Sequence, residues 1–295
     1  MRKPERKLIG LATATALALG IAACNKDATG PGQPALSKAQ ADSLAAAVIT
    51  DVGDVIEGAV VGNTDFTAFP SAPIELGARA TASCVPARSP ASPTNSDGDP
   101  VPDAVRLDFS GCVISTPLRT ITYSGTIDII DPTPTETDYA VKTVYTDFTR
   151  SETDLVSGKT SSVKQNGVRQ FLHNSSVLQH TESNFRTDIT FPDGSTASHV
   201  KDWSSTFSVD PGGSITRGPL PSGTWDINGS STWTRGDKSY LLTVSTNPVL
   251  HYNATCTVAP KFDSGKLTAA VTRAGNTSTI TIEFTACGEY TVTKS

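Results

Sequence analysis

The chain of 295 residues carries 24 Lys and Arg against 29 Asp and Glu, a net charge of −5, which excludes a basic nucleic-acid binder. Hydrophobic residues are 37% of it, low but enough for a core, while Ser and Thr make up roughly a quarter and Met occurs once. This is the composition of an exported β protein, a class rich in Thr and turn formers, and the length allows one large domain or two small ones.

At the N terminus Arg2, Lys3, Arg6 and Lys7 precede a mostly apolar stretch from Leu8 to Ala23. Charge order and length define a signal peptide over residues 1–23, too short to span a bilayer. The stretch ends in Ile21-Ala22-Ala23-Cys24, which resembles the lipobox of bacterial lipoproteins. That resemblance implies a thioether diacylglycerol on Cys24, cleavage just before it and acylation of the new amino terminus by a palmitate-type chain. The mature chain would then begin at Cys24, 272 residues long, and the net charge would move from −5 to −8. Several acyl chains anchor stably where one does not. Residue 25 is Asn, not the Asp that favours inner-membrane retention in lipoproteins of enteric-type bacteria, so the resemblance points to the outer membrane of a Gram-negative cell envelope. Residues 24–35, small, polar and rich in Gly and Pro after the Cys, read as a flexible tether.

Residues 36–60 are expected to form an amphipathic helix. Ser37 with Gln40 three residues on is a capping box; Leu44, Val48, Val52 and Val55 share one face, which Asp42, Thr50, Asp54 and Glu57 avoid. Its apolar side must cover something, most simply one face of the sheet that follows. A membrane-surface helix is disfavoured because the polar face is acidic and anionic lipid would repel it.

Residues 61–295 are expected to be one antiparallel β domain. Apart from Cys24, its cysteines are Cys84, Cys112, Cys256 and Cys287, an even set in an oxidising compartment, where two disulfides are the natural reading. Four cysteines allow three connectivities. A weak internal repeat, over about 80–115 and about 252–290, favours the local pairs: Val105-Arg-Leu-Asp-Phe-Ser-Gly-Cys112 matches Ile280-Thr-Ile-Glu-Phe-Thr-Ala-Cys287, and Ala82-Ser83-Cys84 matches Ala254-Thr255-Cys256. Zinc is not expected, since there is no Cys-x-x-Cys spacing.

Between the first two cysteines lies Asn95-Ser96-Asp97-Gly98-Asp99-Pro100-Val101-Pro102-Asp103. Oxygen ligands at alternate positions in a turn suit a hard cation, and over these nine residues the run resembles the calcium loops of thrombospondin-type repeats. By that resemblance Asn95, Asp97, Asp99 and Asp103 would be Ca²⁺ ligands. Pro100 departs from the pattern, no bidentate Glu follows, and such residues also simply make surface turns.

From Ala80 onward the segments alternate, as in Ile121, Tyr123, Ile127 and Ile129; Phe185, Ile189 and Phe191; Trp203, Phe207 and Val209; Trp225, Ile227 and Trp233; and Ile280, Ile282 and Phe284. Alternation with Ser, Thr and charge between is the mark of antiparallel strands with one wetted side. Turn signals such as Asp131-Pro132, Asp193-Gly194 and Gly236-Asp237 stand far apart, predicting strands of up to ~40 Å. Asn166-Gly167 and Asn228-Gly229 could split two of them as tight hairpins, which the sequence does not decide. The expected fold is therefore mainly β: a large antiparallel meander forming a strongly curved sheet or partly open barrel, with the N-terminal helix packed on it. A β-sandwich is the alternative. A transmembrane barrel is disfavoured by the Ser and Thr at would-be outward positions and by the absence of a terminal aromatic.

No catalytic constellation stands out. His173, His180, His199 and His251 are scattered along alternating strands and are expected to be wetted sheet residues; Ser161-Ser162-Val163-Lys164 holds a Ser-x-x-Lys without its companion motifs; Trp203, Trp225 and Trp233 are expected in the core. The first expectation for function is a membrane-anchored cell-envelope lipoprotein acting as a non-enzymatic structural or interaction module, with an envelope protein as partner. The second is a carrier holding a lipid or other apolar ligand between helix and curved sheet, a likeness of layout to the lipid-binding lipoproteins of bacterial envelopes. The third is a hydrolase whose residues converge from distant strands.

Overall fold

The computed structural model describes residues 37–49, 52, 84–99, 101–216, 219–273 and 275–295. The expected signal peptide, Cys24, the expected tether and the end of the expected helix lie outside the described residues. Helix α1 runs over 38–49, with Val52 also helical. It begins as the capping box predicts: Gln40 N–H donates to Ser37 Oγ at 3.3 Å, and Ser37 N–H donates to Gln40 Oε1 at 2.8 Å. Its buried face is Ala41, Ala45, Val48 and Val52, with Leu44 at the margin, and these side chains join the cluster that lines the sheet.

Among the described residues fourteen strands follow: β1 (Ala87–Ser89), β2 (Ala104–Asp108), β3 (Cys112–Ser115), β4 (Arg119–Ile130), β5 (Tyr139–Asp154), β6 (Thr160–His173), β7 (Val177–Thr190), β8 (Thr196–Val209), β9 (Gly223–Arg235), β10 (Lys238–Thr246), β11 (Leu250–Tyr252), β12 (Phe262–Arg273), β13 (Asn276–Ala286) and β14 (Glu289–Lys294). They form one antiparallel sheet in the order β1-β2-β4-β5-β6-β7-β8-β9-β10-β12-β13-β14, so the chain meanders as the turn spacing predicts, and the fold is not a two-sheet sandwich. The path has two departures. β3 doubles back on β4 beside β2, and β11 sits between β9 and β12 in line with β10.

A line of bulges crosses the middle of the sheet. Register shifts fall at Ser124/Thr126 in β4, Tyr145/Phe148 in β5, Asn166/Val168 in β6 and Glu182/Phe185 in β7. Gly125, Asp147, Gly167 and Asn184 mark it with positive φ. A Cβ on Gly125 would lie 2.2 Å from Asp147 O, and one on Gly167 2.5 Å from Asn184 O, so glycine is required at both. The N–H groups freed at the bulges find side chains on the next strand: Asp147 N–H donates to Asn166 Oδ1 and Asn184 N–H to Asp202 Oδ1. Bulges bend strands and raise twist, which is how a sheet this wide curves. Asn166-Gly167 is thus a bulge within one strand, and Asn228-Gly229 is continuous β9; neither is a hairpin turn.

The inner face carries an apolar cluster reaching from α1 to β13, with Phe207, Trp225, Ile227, Leu250 and Ile280 wholly buried. Disulfides Cys84–Cys112 and Cys256–Cys287 close loops with sequence separations of 28 and 31, the local pairing that the repeat favours. Phe109 and Phe284, three residues before their cysteines, are both buried and pack on Phe148 and Phe262 at 5.0 and 5.1 Å.

Candidate functional site

The central strands put charge on the buried face. β8 points Ala197, His199, Lys201, Trp203, Ser205 and Phe207 inward, all buried. Across the ladder, Glu182 of β7 stands beside Trp203 and His180 beside Ser205. Arg169 of β6 stands beside Glu182, and Ser231 and Trp233 of β9 stand beside Lys201 and His199. The result is a polar belt: Arg169 Nε lies 2.7 Å from Glu182 Oε1, and its guanidinium sits 3.9 Å over the Phe185 ring. Burial pushes the Glu182 carboxyl up, but Arg169 and Lys201 outweigh it and hold the group below the usual range, so Glu182 is an anion facing two cations. Burial also raises the Tyr145 phenol, which hydrogen-bonds Arg169.

His180 and His199 correct the expectation of wetted histidines. His180 is 2% exposed and stacked on Phe171 at 4.3 Å, and His199 is 8% exposed and stacked on Trp233 at 4.8 Å. Desolvation drives His180 down to about 4 and His199 to about 3, so both are neutral imidazoles. The sequence held the signal: His199 shares its parity with Trp203 and Phe207, and His180 with Leu178, all inward residues. Both ring nitrogens of His180, His199 Nε2, Glu182 Oε2, Trp203 Nε1 and Ser205 Oγ have no hydrogen-bond partner among the described residues. The two histidines do not act together. Along β8, His199 is six residues from Ser205, the partner of His180, or ~20 Å.

His251 is the opposite case. Its Nδ1 lies 2.7 Å from Asp263 Oδ1 and its Nε2 3.1 Å from Asp210 Oδ2, and Asn253 donates to Asp263 Oδ2 at 2.8 Å. The Asp263 hydrogen bond raises the His251 pKa above its ordinary value despite partial burial. Burial pushes the Asp263 carboxyl up, yet hydrogen bonds from His251 and Asn253 hold it lower. A histidine between two carboxylates resembles a proton-relay arrangement, but both ring nitrogens are engaged, so the unit clamps β11, β12 and the segment after β8 together. Lys164 of the Ser-x-x-Lys run pairs with Asp147 at 2.7 Å and brings no serine with it. Trp203 and Trp225 are core, and Trp233 is partly buried on His199.

The acidic run 95–103 forms a compact loop before β2. Asp103 accepts hydrogen bonds from Ser96 N–H, Ser96 Oγ and Thr94 Oγ1, each at 2.7 Å, and these hold its carboxyl below the usual range. Asn95 Oδ1 accepts from Gly98 N–H at 2.7 Å, and its amide donates to Asp99 O. Asn95 and Asp103, two of the four expected ligands, therefore brace the loop itself. Asp97 and Asp99 instead meet Asp131, the residue after β4, with one oxygen from each within 4.8 Å of the others. Burial, with the nearby Asp97 and Asp131 charges, raises the Asp99 pKa against the hydrogen bond from Val101 N–H. Nothing in the run predicts Asp131, which lies 32 residues beyond Asp99 and is brought in by the β2–β4 ladder. Compared with known proteins, the chain matches no family model, no curated relative and no solved structure.

Proposed function

We propose that the protein is a lipid-anchored lipoprotein of the bacterial cell envelope, its curved β body serving as a non-enzymatic structural or interaction module. The observation that carries this reading is that the inner face is occupied by the protein's own side chains. Trp203, Phe207, Trp225, Ile227 and Phe262 are packed to near-zero exposure under the same cluster that takes in Val48 and Val52 of α1. The lipobox-like Ala22-Ala23-Cys24 supplies the anchor and residues 25–35 the tether that lets the body stand off the lipid, on the outer membrane by the Asn25 criterion. Metabolic labelling with palmitate tests the anchor: label is expected on the wild-type chain and lost in Cys24→Ala, and equal labelling of both sinks it.

A second reading, a carrier for an amphipathic ligand between α1 and the sheet, draws on the polar belt, whose sealed and unpartnered groups are an unusual filling for a purely structural interior. Native mass spectrometry of the detergent-extracted full chain separates the two. The module reading expects the mass of the acylated chain alone; a co-purifying acyl ligand, lost in Glu182→Gln, would favour the carrier.

A further inference from the structure

The loop that holds the acidic run fixes one oxygen of each carboxylate and leaves the other. Asp97 Oδ1 accepts Asp99 N–H at 3.0 Å and Asp99 Oδ1 accepts Val101 N–H at 2.6 Å. On the facing corner, Asp131 N–H donates to Asp103 O at 3.1 Å, and Asp131 Oδ1 accepts from the N–H and hydroxyl of Thr133. The remaining Oδ2 atoms of Asp97, Asp99 and Asp131 are all buried; none makes a well-formed hydrogen bond among the described residues, and only the Ala140 N–H comes close to the Asp99 carboxylate. Asp131 itself is only 3% exposed, so its free oxygen is shielded from bulk water. A buried carboxylate oxygen without a partner is strongly unfavourable, and three carboxylates this close repel one another; a proton or a cation shared among them relieves both.

The donor set and spacing select the cation. Every offered atom is a carboxylate oxygen, with no imidazole or thiolate, which suits a hard ion rather than zinc. Two oxygens on one calcium ion, each 2.3–2.6 Å from it, are at most about 5 Å apart, and the 4.8 Å spread of the triad falls within that reach. Calcium accepts irregular sets of 6–8 oxygens completed by carbonyls and water, whereas magnesium demands a smaller near-octahedral cage.

We infer that Asp97, Asp99 and Asp131 form a calcium site that latches the loop of the Cys84–Cys112 unit to the corner after β4. The site goes beyond the anchoring function and stands or falls without it. The disulfide and the ion act on the same end of the sheet from two sides, one holding Cys84 to β3 and the other holding residues 97–99 to the β4–β5 connection.

The test uses the full chain in detergent, stripped with a chelator and titrated with CaCl₂ at constant ionic strength, followed by calorimetry and by the melting temperature. One calcium per chain is expected, saturating in the micromolar to millimolar range, with a melting temperature raised by several degrees. Asp131→Asn is expected to abolish both the heat and the shift. In chelator it should melt at or above the wild-type temperature, because the neutral amide removes a charge that is unpaired without the ion. Should Asp131→Asn fail to fold, Asp97→Asn in the more open loop is expected to weaken binding about tenfold or more. Absence of binding up to about 10 mM Ca²⁺, beyond the range of weak extracellular sites, would overturn the inference. So would an equal shift with Mg²⁺, or a full wild-type shift retained by Asp131→Asn or by Asp97→Asn.

Discussion

The centre and the two ends of this sheet are held by different forces. Toward each end a long strand is flanked by two strands in line, β2 and β3 beside β4, β10 and β11 beside β12, and a disulfide lies at or just beyond the shorter of the two. The inner side chains there are apolar: Leu107, Phe109 and Ile114 at one end, Leu267, Ile280 and Phe284 at the other. In the centre, β6 to β9 run for 13 or 14 residues with neighbours on both sides, and no crosslink touches them. There the inner face carries Arg169, Glu182, Lys201, His180 and His199. Short strands have few ladder bonds and depend on the covalent tie. Long central strands have enough backbone pairing to hold buried charge whose net contribution to stability is small or unfavourable.

The contrast can be broken at several points. The largest effect is expected from the ties: Cys84→Ser/Cys112→Ser and Cys256→Ser/Cys287→Ser should each lower the unfolding free energy by about 4 kcal/mol, because the closed loops are nearly equal in length. Denaturant titration measures this, and an unchanged midpoint in either variant would mean that end needs no covalent tie. Next, Glu182→Gln leaves Arg169 and Lys201 facing no anion and is expected to cost about 3 kcal/mol. A neutral or stabilising result would mean the central charges are not mutually dependent.

Acid should then separate the regions. In the unfolded chain His180 titrates near its ordinary value of 6.5, and in the folded chain near about 4. Between those pH values the unfolded state binds the extra proton, so stability falls with pH by about 3 kcal/mol across that window and no further below it. His199 adds a loss of the same sign between 6.5 and about 3. His180→Phe keeps a ring on Phe171 and removes the titration, so its stability should fall less steeply from pH 6.5 to 4; parallel slopes would refute the buried neutral imidazole. The smallest effect has the opposite sign. His251, with its pKa raised by Asp263 and Asp210, contributes fully below 6.5, and that contribution disappears as pH rises through its folded value. His251→Gln should cost within about 1 kcal/mol, as expected of a partly exposed pair, and only on the acid side of that transition.

Much of the fold was legible because it is written locally. The capping box needs only Ser37 and Gln40, one helical turn apart, and strand identity needs only the two-residue alternation around residues such as Trp203 and Phe207. The disulfide pairs were legible through the acid-Phe-x-x-Cys repeat, although the run turns from β2 into β3 in one unit and stays within β13 up to Cys287 in the other. Of the four histidines, His180 and His199 depart from the expected wetted side because position outweighs residue type: both occupy inward places whatever their polarity. Asn166-Gly167 was ambiguous because a hairpin turn and a bulge both ask for a positive φ, and only the partner strand decides between them.

The alternating strands and the start of the helix follow from local sequence alone, and the internal repeat favours the local pairing of the cysteines. Tertiary structure alone decided which side chains meet across strands: Glu182 with Arg169, His251 with two aspartates, Asp131 with Asp97 and Asp99. The reason is register. Local patterns repeat within a few residues of one chain segment, but cross-strand neighbours depend on how each strand slides against the next, and the bulges at Gly125, Asp147, Gly167 and Asn184 reset that sliding midway along.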